Sequence, residues 1–206
     1  MTLRMLDKVA NGCSLVKSRK YKRFLKFLFI QISNSPDLYL TYHRPKKLRA
    51  EFQQWKCIMI VALWKKQVFT YEILPNGQTV DSGVYLKFLE RRVLPEVTRK
   101  KMAKPIILHD NARPHKHRIV REFLQENRWE ELEHPPYSPD MSPPDMDGIY
   151  RIKAPNKGKQ FQSQDELIRD YEATIRDINQ KHASLGISML PDRWRVIALT
   201  RGNYID

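Results

Sequence analysis

The stretch 106-IILHDNARPHKHRIV-120 decides how this chain is read. Ile106 to Leu108 form a short, wholly apolar run, the pattern of a strand buried on both faces. The run ends in His109 and Asp110. A helical pattern starts near Lys116 and runs to Asn127, with Ile119, Val120, Phe123 and Leu124 recurring on one side. Strand, polar tip and helix make a βα unit, and a strand end is where a ligand can reach a side chain. A lone Asp at such a place is more often a turn or cap residue. Chemistry at Asp110 therefore requires a second acid converging on the same point, because a pair of metal ions needs shared and flanking carboxylates.

Upstream of this unit the pattern is that of hairpins. FLFIQIS (27–33) reads as a strand and SNSP (33–36) as a break. LYLTYH (38–43), CIMIVAL (57–63) and QVFTYEIL (67–74) follow as β-favouring segments, with Gly77 in the turn PNGQ. Residues 81–100 read as a helix capped by Asp81 or Ser82, with Tyr85, Phe88, Leu89 and Val93 inward and Pro95 cutting it or near its end. Downstream, WEELE (129–133) reads as a short strand. Ser163 and Glu166 form a capping box for a helix to Gln180, and LPDRW (190–194) opens a final short helix. Hairpins first and βα units later predict an α/β fold with a mixed sheet flanked by helices, not a doubly wound parallel sheet. Neither GxGxxG nor GxxxxGK[ST] occurs, so no dinucleotide or nucleoside-triphosphate cradle is encoded.

At 206 residues the chain suits one domain, and 41% hydrophobic residues suffice for its core. The formal net charge of +14 points to a polyanionic partner, most simply nucleic acid. The reading divides the chain into a basic segment, 1–23, and a domain, 24–206. KSRKYKR (17–23) suits a nuclear-import signal or a phosphate-binding face. Cys13 and Cys57 form no CxxC pair, which suits a reducing compartment. No apolar run approaches a membrane span, so no membrane partner is expected.

The second acid is Asp145. It ends PPYSPDMSPPD (135–145), in which five prolines among eleven residues exclude a regular helix or central strand. A rigid segment of this kind fixes where its carboxylate emerges. HDNARPH (109–115) together with HPPYSPDMSPPD (134–145) closely resembles the mariner-type transposases. The second and third acids of that family's DDE/D triad match Asp110 and Asp145, with 34 residues between them (111–144). YEILPNGQTVDSGVY (71–85) and RGNYID (201–206) carry the resemblance further, over roughly residues 55–206. It implies an RNase H-like fold and two bound Mg²⁺ or Mn²⁺ ions. It also implies hydrolytic cutting of transposon ends, strand transfer to target DNA, a homodimer and a nuclear location.

The first acid departs from the family pattern, which has GDE and an aromatic strand. Asp37 is the positional candidate, after the first strand and before an aromatic strand; Asp7 has no strand to support it. Arg113, Lys46, Lys47, Lys20, Lys22 and Arg23 are the candidate contacts to DNA phosphates, with Arg49 beside them. His109 and His115 are expected to shape the loop around Asp110 rather than bind zinc, and His117 shares no helix face with them. Asp140 reads as a turn residue and Asp147 as a first-turn helix acid. The family's N-terminal helix-turn-helix region has no counterpart of its length before the first strand. The expectation is a catalytic domain alone, as in a truncated or degenerate copy. The alternative is a non-catalytic DNA-binding or assembly module derived from a transposase.

Overall fold

The computed structural model describes residues 27–34, 55, 57–132, 134 and 141–200. Five strands form one sheet: β1 (Phe27–Asn34), β2 (Ile58–Trp64), β3 (Gln67–Ile73), β4 (Ile106–Leu108) and β5 (Glu130–Leu132), in the order β3-β2-β1-β4-β5. β1, β2 and β3 pair antiparallel, whereas β4 runs parallel to β1, and β5 parallel to β4. The mixed sheet expected from the order of hairpins and βα units is therefore present. LYLTYH (38–43) lies outside the described residues.

Alternation along β2 divides the core into two layers. Met59, Val61 and Leu63 point to one face, with Ile106 and Leu108 of β4. Ile60 and Ala62 point to the other, with Ile30 and Ile107. All of these residues are nearly inaccessible to water, as the continuous apolar runs require of strands covered on both sides.

The Ile107 face is covered by α1 (Ser82–Phe88), α2 (Leu94–Arg99) and α4 (Arg118–Glu126), through Tyr85, Phe88, Val97, Val120, Phe123 and Leu124. Asp81 caps α1 by accepting from the Val84 N–H at 2.8 Å. α1 does not stop before Pro95. A wider turn, Leu89–Val93, carries it into α2, where Pro95 sits in the first turn and its missing N–H is least costly. A short α3 (Arg113–Lys116) precedes α4 and carries Arg113, Pro114 and His115.

The opposite face is covered by α5 (Ile149–Lys153), α6 (Gln164–Lys181) and α7 (Gly186–Leu199). Ser163 caps α6, and Leu167, Tyr171, Ile175 and Ile178 face the sheet as their spacing predicts. Asn179 secures α6 to the sheet edge, accepting from the Val68 N–H at 2.7 Å and donating to its carbonyl at 3.0 Å. The last helix begins at Gly186, before the LPDRW segment, and holds Pro191 inside it. Its cap explains the difference. Asp147, far away in sequence, accepts from Ser184 Oγ (3.1 Å), Leu185 N–H (2.7 Å) and Gly186 N–H (3.1 Å). No local pattern announces a cap supplied from another element.

Candidate active site

Asp110 lies two residues beyond the end of β4, at the edge where β1, β4 and β5 all finish. Its Oδ1 is held by His115 Nδ1 at 2.7 Å and by the Ala112 N–H at 2.9 Å. Among the described residues Oδ2 has no hydrogen-bond partner, and the Asp110 side chain remains 47% exposed. Burial alone would raise its pKa. The His115 and Ala112 hydrogen bonds and the two nearby imidazoles outweigh that effect and hold it at about 2. The carboxylate is ionised, with one oxygen fixed and the other without a partner among the described residues, which suits coordination of a hard cation.

A buried chain of polar groups supports this loop. His109 and His115 stack with ring centres 4.8 Å apart and planes 7° from parallel. His109 Nδ1 is 3.0 Å from the Tyr85 hydroxyl, and its Nε2 is 3.0 Å from Glu131. Burial pulls the His109 pKa down and pushes Tyr85 well up, so the ring is neutral and the phenol keeps its proton. The neutral ring must donate from Nε2 to the Glu131 carboxylate. Nδ1 then accepts from Tyr85. Lys116 adds a second donor to Glu131 at 2.5 Å. With the His109 bond first in weight, these contacts hold Glu131 at about 2 against the opposing effect of burial. The expectation that His109 and His115 shape the loop agrees with this geometry. Tyr85 and Glu131 were not foreseen as part of the site: Tyr85 looks like an ordinary core residue in a helical stripe, and Glu131 like one more acid in WEELE.

The other acid is mounted differently. Asp145 is exposed in a wide helical turn, Pro144–Gly148, that runs straight into α5. Two glycines let this turn lie close to its neighbours. A Cβ on Gly148 would come within 2.4 Å of Leu63 Cδ1, and one on Gly186 within 2.9 Å of the Pro143 carbonyl. Asp147 is buried, caps α7 and pairs with Arg151. It is an anchor for the turn, which goes beyond the first-turn role read from sequence. Strand pairing sets Leu63 level with Phe29 and Leu108. Asp110 thus stands two residues past that level. Asp145 stands three residues before the glycine that rests on it.

Asn111 links the two motifs, donating to the His134 carbonyl at 2.8 Å. The HDNARPH loop is therefore tied to the start of HPPYSPD. Arg113 is exposed at the first position of α3, and has no ion pair among the described residues. Among the described residues no three acids, histidines or cysteines form a complete metal site. Asp37 lies outside the described residues, as do Lys46, Lys47, Lys20, Lys22 and Arg23.

The mixed five-stranded sheet, with helices on both faces and an acid where the parallel strands end, defines an RNase H-like domain. No family model matches this chain. It is 27% identical over 220 residues to the Mariner Mos1 transposase of Drosophila mauritiana, covering 98% of this chain and 64% of that protein. It is 30% identical over 170 residues to the human histone-lysine N-methyltransferase SETMAR, covering 79% of this chain and 24% of that one. The chain thus spans less than two thirds of either relative. The crystal structure of the Mos1 mariner transposase catalytic domain superposes with a TM-score of 0.76 at 25% identity, covering all of this chain and 98% of that one. A Mos1 catalytic domain with Raltegravir and Mn superposes at 0.78, also at 25% identity, covering 100% of this chain and 98% of that one. Sequence and fold together support a mariner-type transposase catalytic domain.

Proposed function

We propose that this chain is a divalent-metal-dependent domain that cleaves and rejoins DNA strands in the nucleus, working as a homodimer on transposon ends and target DNA. The observation that carries the reading is Asp110: an ionised carboxylate at a strand end, fixed through Oδ1 and, among the described residues, without a partner at Oδ2. Mos1 structures with Mn, with Mg, in a paired end complex and in a strand transfer complex support the choice of metal and substrate. Asp110, Asp145 and Asp37 would hold Mg²⁺ or Mn²⁺. The bound ions would stabilise the charge that builds up on the attacking and leaving oxygens.

The protein's own part is placement. His115 and the Ala112 N–H fix the Asp110 carboxylate, and the turn resting on Leu63 fixes the backbone of Asp145. Cleavage adds water to the phosphorus and breaks the P–O3′ bond, freeing a 3′-OH. In joining, that hydroxyl attacks a target phosphodiester and expels the target's own 3′ oxygen. Arg113, Lys46, Lys47, Lys20, Lys22 and Arg23 would contact phosphates as this proceeds. The basic segment 1–23 would serve import or backbone binding, with 24–206 as the catalytic unit.

The test is metal-dependent nicking of a duplex bearing the element's own ends. Asp110→Asn, Asp145→Asn and Asp37→Asn should each lower the rate by at least a thousandfold while leaving duplex affinity unchanged. A non-catalytic DNA-binding module would bind the duplex with the same salt sensitivity and show no metal-dependent nicking in any form.

A further inference from the structure

Five non-glycine residues among those described have a positive φ: Lys65 (55°), Lys101 (49°), Lys104 (52°), Arg128 (56°) and His182 (49°). Every one is Lys, Arg or His. Glycine or asparagine adopts this backbone region at lower cost, so basic residues here are not the choice that folding alone favours. All five also lie at one end of the molecule. Lys65 is in the β2–β3 turn, Lys101 and Lys104 are in the loop entering β4, and Arg128 is in the turn entering β5. His182 follows α6, with Nδ1 2.9 Å from Gln67 Nε2 at the start of β3. Because β4 and β5 run parallel to β1 while β2 runs against it, this is the sheet edge opposite Asp110.

The charge on this edge is little compensated. Lys65, Lys66, Lys101, Lys104 and Arg128 are exposed, Lys100 is half-buried, and none has an ion pair among the described residues. Among the described residues here, Glu126 and Glu130 are exposed acids, whereas Glu96 is held by Arg99 and Asp177 by Lys181. Lys65 Nζ and Lys100 Nζ stand 4.1 and 5.0 Å from the centre of the same Trp64 ring. The ring attracts both ammonium groups. From β2 to β5 the row spans three strand spacings, roughly 14 Å. That length suits successive phosphates of one backbone better than a single small anion.

We propose that this edge is a docking strip for the phosphate backbone of duplex DNA, remote from the strand ends that carry Asp110. The choice of DNA over other polyanions rests on the function proposed above. The strip would hold DNA flanking the cleaved site, or a second duplex, without reading its sequence.

The experiment uses the full chain and a random-sequence duplex, with chelator in place of divalent metal, and measures anisotropy across a salt series. The variant Lys101→Asn/Lys104→Asn/Arg128→Asn removes three charges and places asparagine where it suits the backbone. Its melting temperature should equal or exceed that of the wild type. Its salt slope should flatten by about 2.7, since each phosphate that is no longer neutralised takes away about 0.9. A second variant, Lys65→Asn/Lys100→Gln, should flatten it by about 1.8. An unchanged slope in both variants overturns the proposal. So does loss of affinity for single-stranded RNA or polyglutamate with duplex binding intact. Nicking by the wild type is scored separately, so a failed strip leaves the active-site reading standing, and a failed nicking assay leaves the strip testable.

Discussion

Asp110 is gripped through one oxygen by His115 and the Ala112 N–H, and the grip should matter more for metal binding than for folding. His115→Ala removes the side-chain donor and should weaken Mn²⁺ binding about tenfold, the scale at which outer-shell partners act. His115→Asn, which can still donate to Oδ1, should recover part of that loss; calorimetric titration of both variants measures it. The same residues set an acid limit on stability. Asp110 and Glu131 both have folded pKa values depressed to about 2. Their contributions are complete above the ordinary carboxylate range and vanish as pH falls through the folded values. Burial lowers His109 as well, which acts in the same direction. Glu131→Gln should therefore cost about 1–2 kcal/mol at pH 6, allowing for its partial exposure, and the gap from wild type should close between about pH 4 and 2. Urea unfolding across that range checks the sign.

At the scale of elements, the turn Pro144–Gly148 depends on contacts made far from it in sequence. Asp147→Ala would leave two N–H groups and a hydroxyl without their acceptor at the start of α7, with a cost of about 3 kcal/mol in urea unfolding. Gly148→Ala forces its new methyl against Leu63 and should cost about 1–3 kcal/mol. In a Leu63→Ala background much of that penalty should disappear, a coupling that a double-mutant cycle reads directly. These contacts also show what the sequence could convey. β4, β5 and α6 were legible to within a residue or so at each end, because a short apolar run, a short WEELE segment and a capping box each act locally. The start of α7 was not, because its cap comes from Asp147, and Pro191 looked like a helix opening. The helical reading of 81–100 holds, but the wider turn Leu89–Val93 that precedes Pro95 leaves no mark in the residue pattern.

On the scale of the whole molecule, Asp110 and the basic row of Lys65, Lys101, Lys104 and Arg128 occupy opposite edges of one sheet. The strand-end position of Asp110 was legible because a short apolar run stops just before His109. The Tyr85–His109–Glu131 chain was not, because each member comes from a different element and each taken alone looks ordinary. The unpaired lysines and arginine at the far edge were hidden for the opposite reason. In a chain of net charge +14 a basic residue draws no notice until its backbone conformation is known. The most direct test of the whole account is calorimetric titration of Mn²⁺ into the wild type, Asp110→Asn and Asp145→Asn. The account predicts binding to the wild type at sub-millimolar to millimolar concentration, weakened at least tenfold by either substitution. A wild type that binds no Mn²⁺ at millimolar concentration, or an Asp145→Asn variant that binds as well as the wild type, would contradict it.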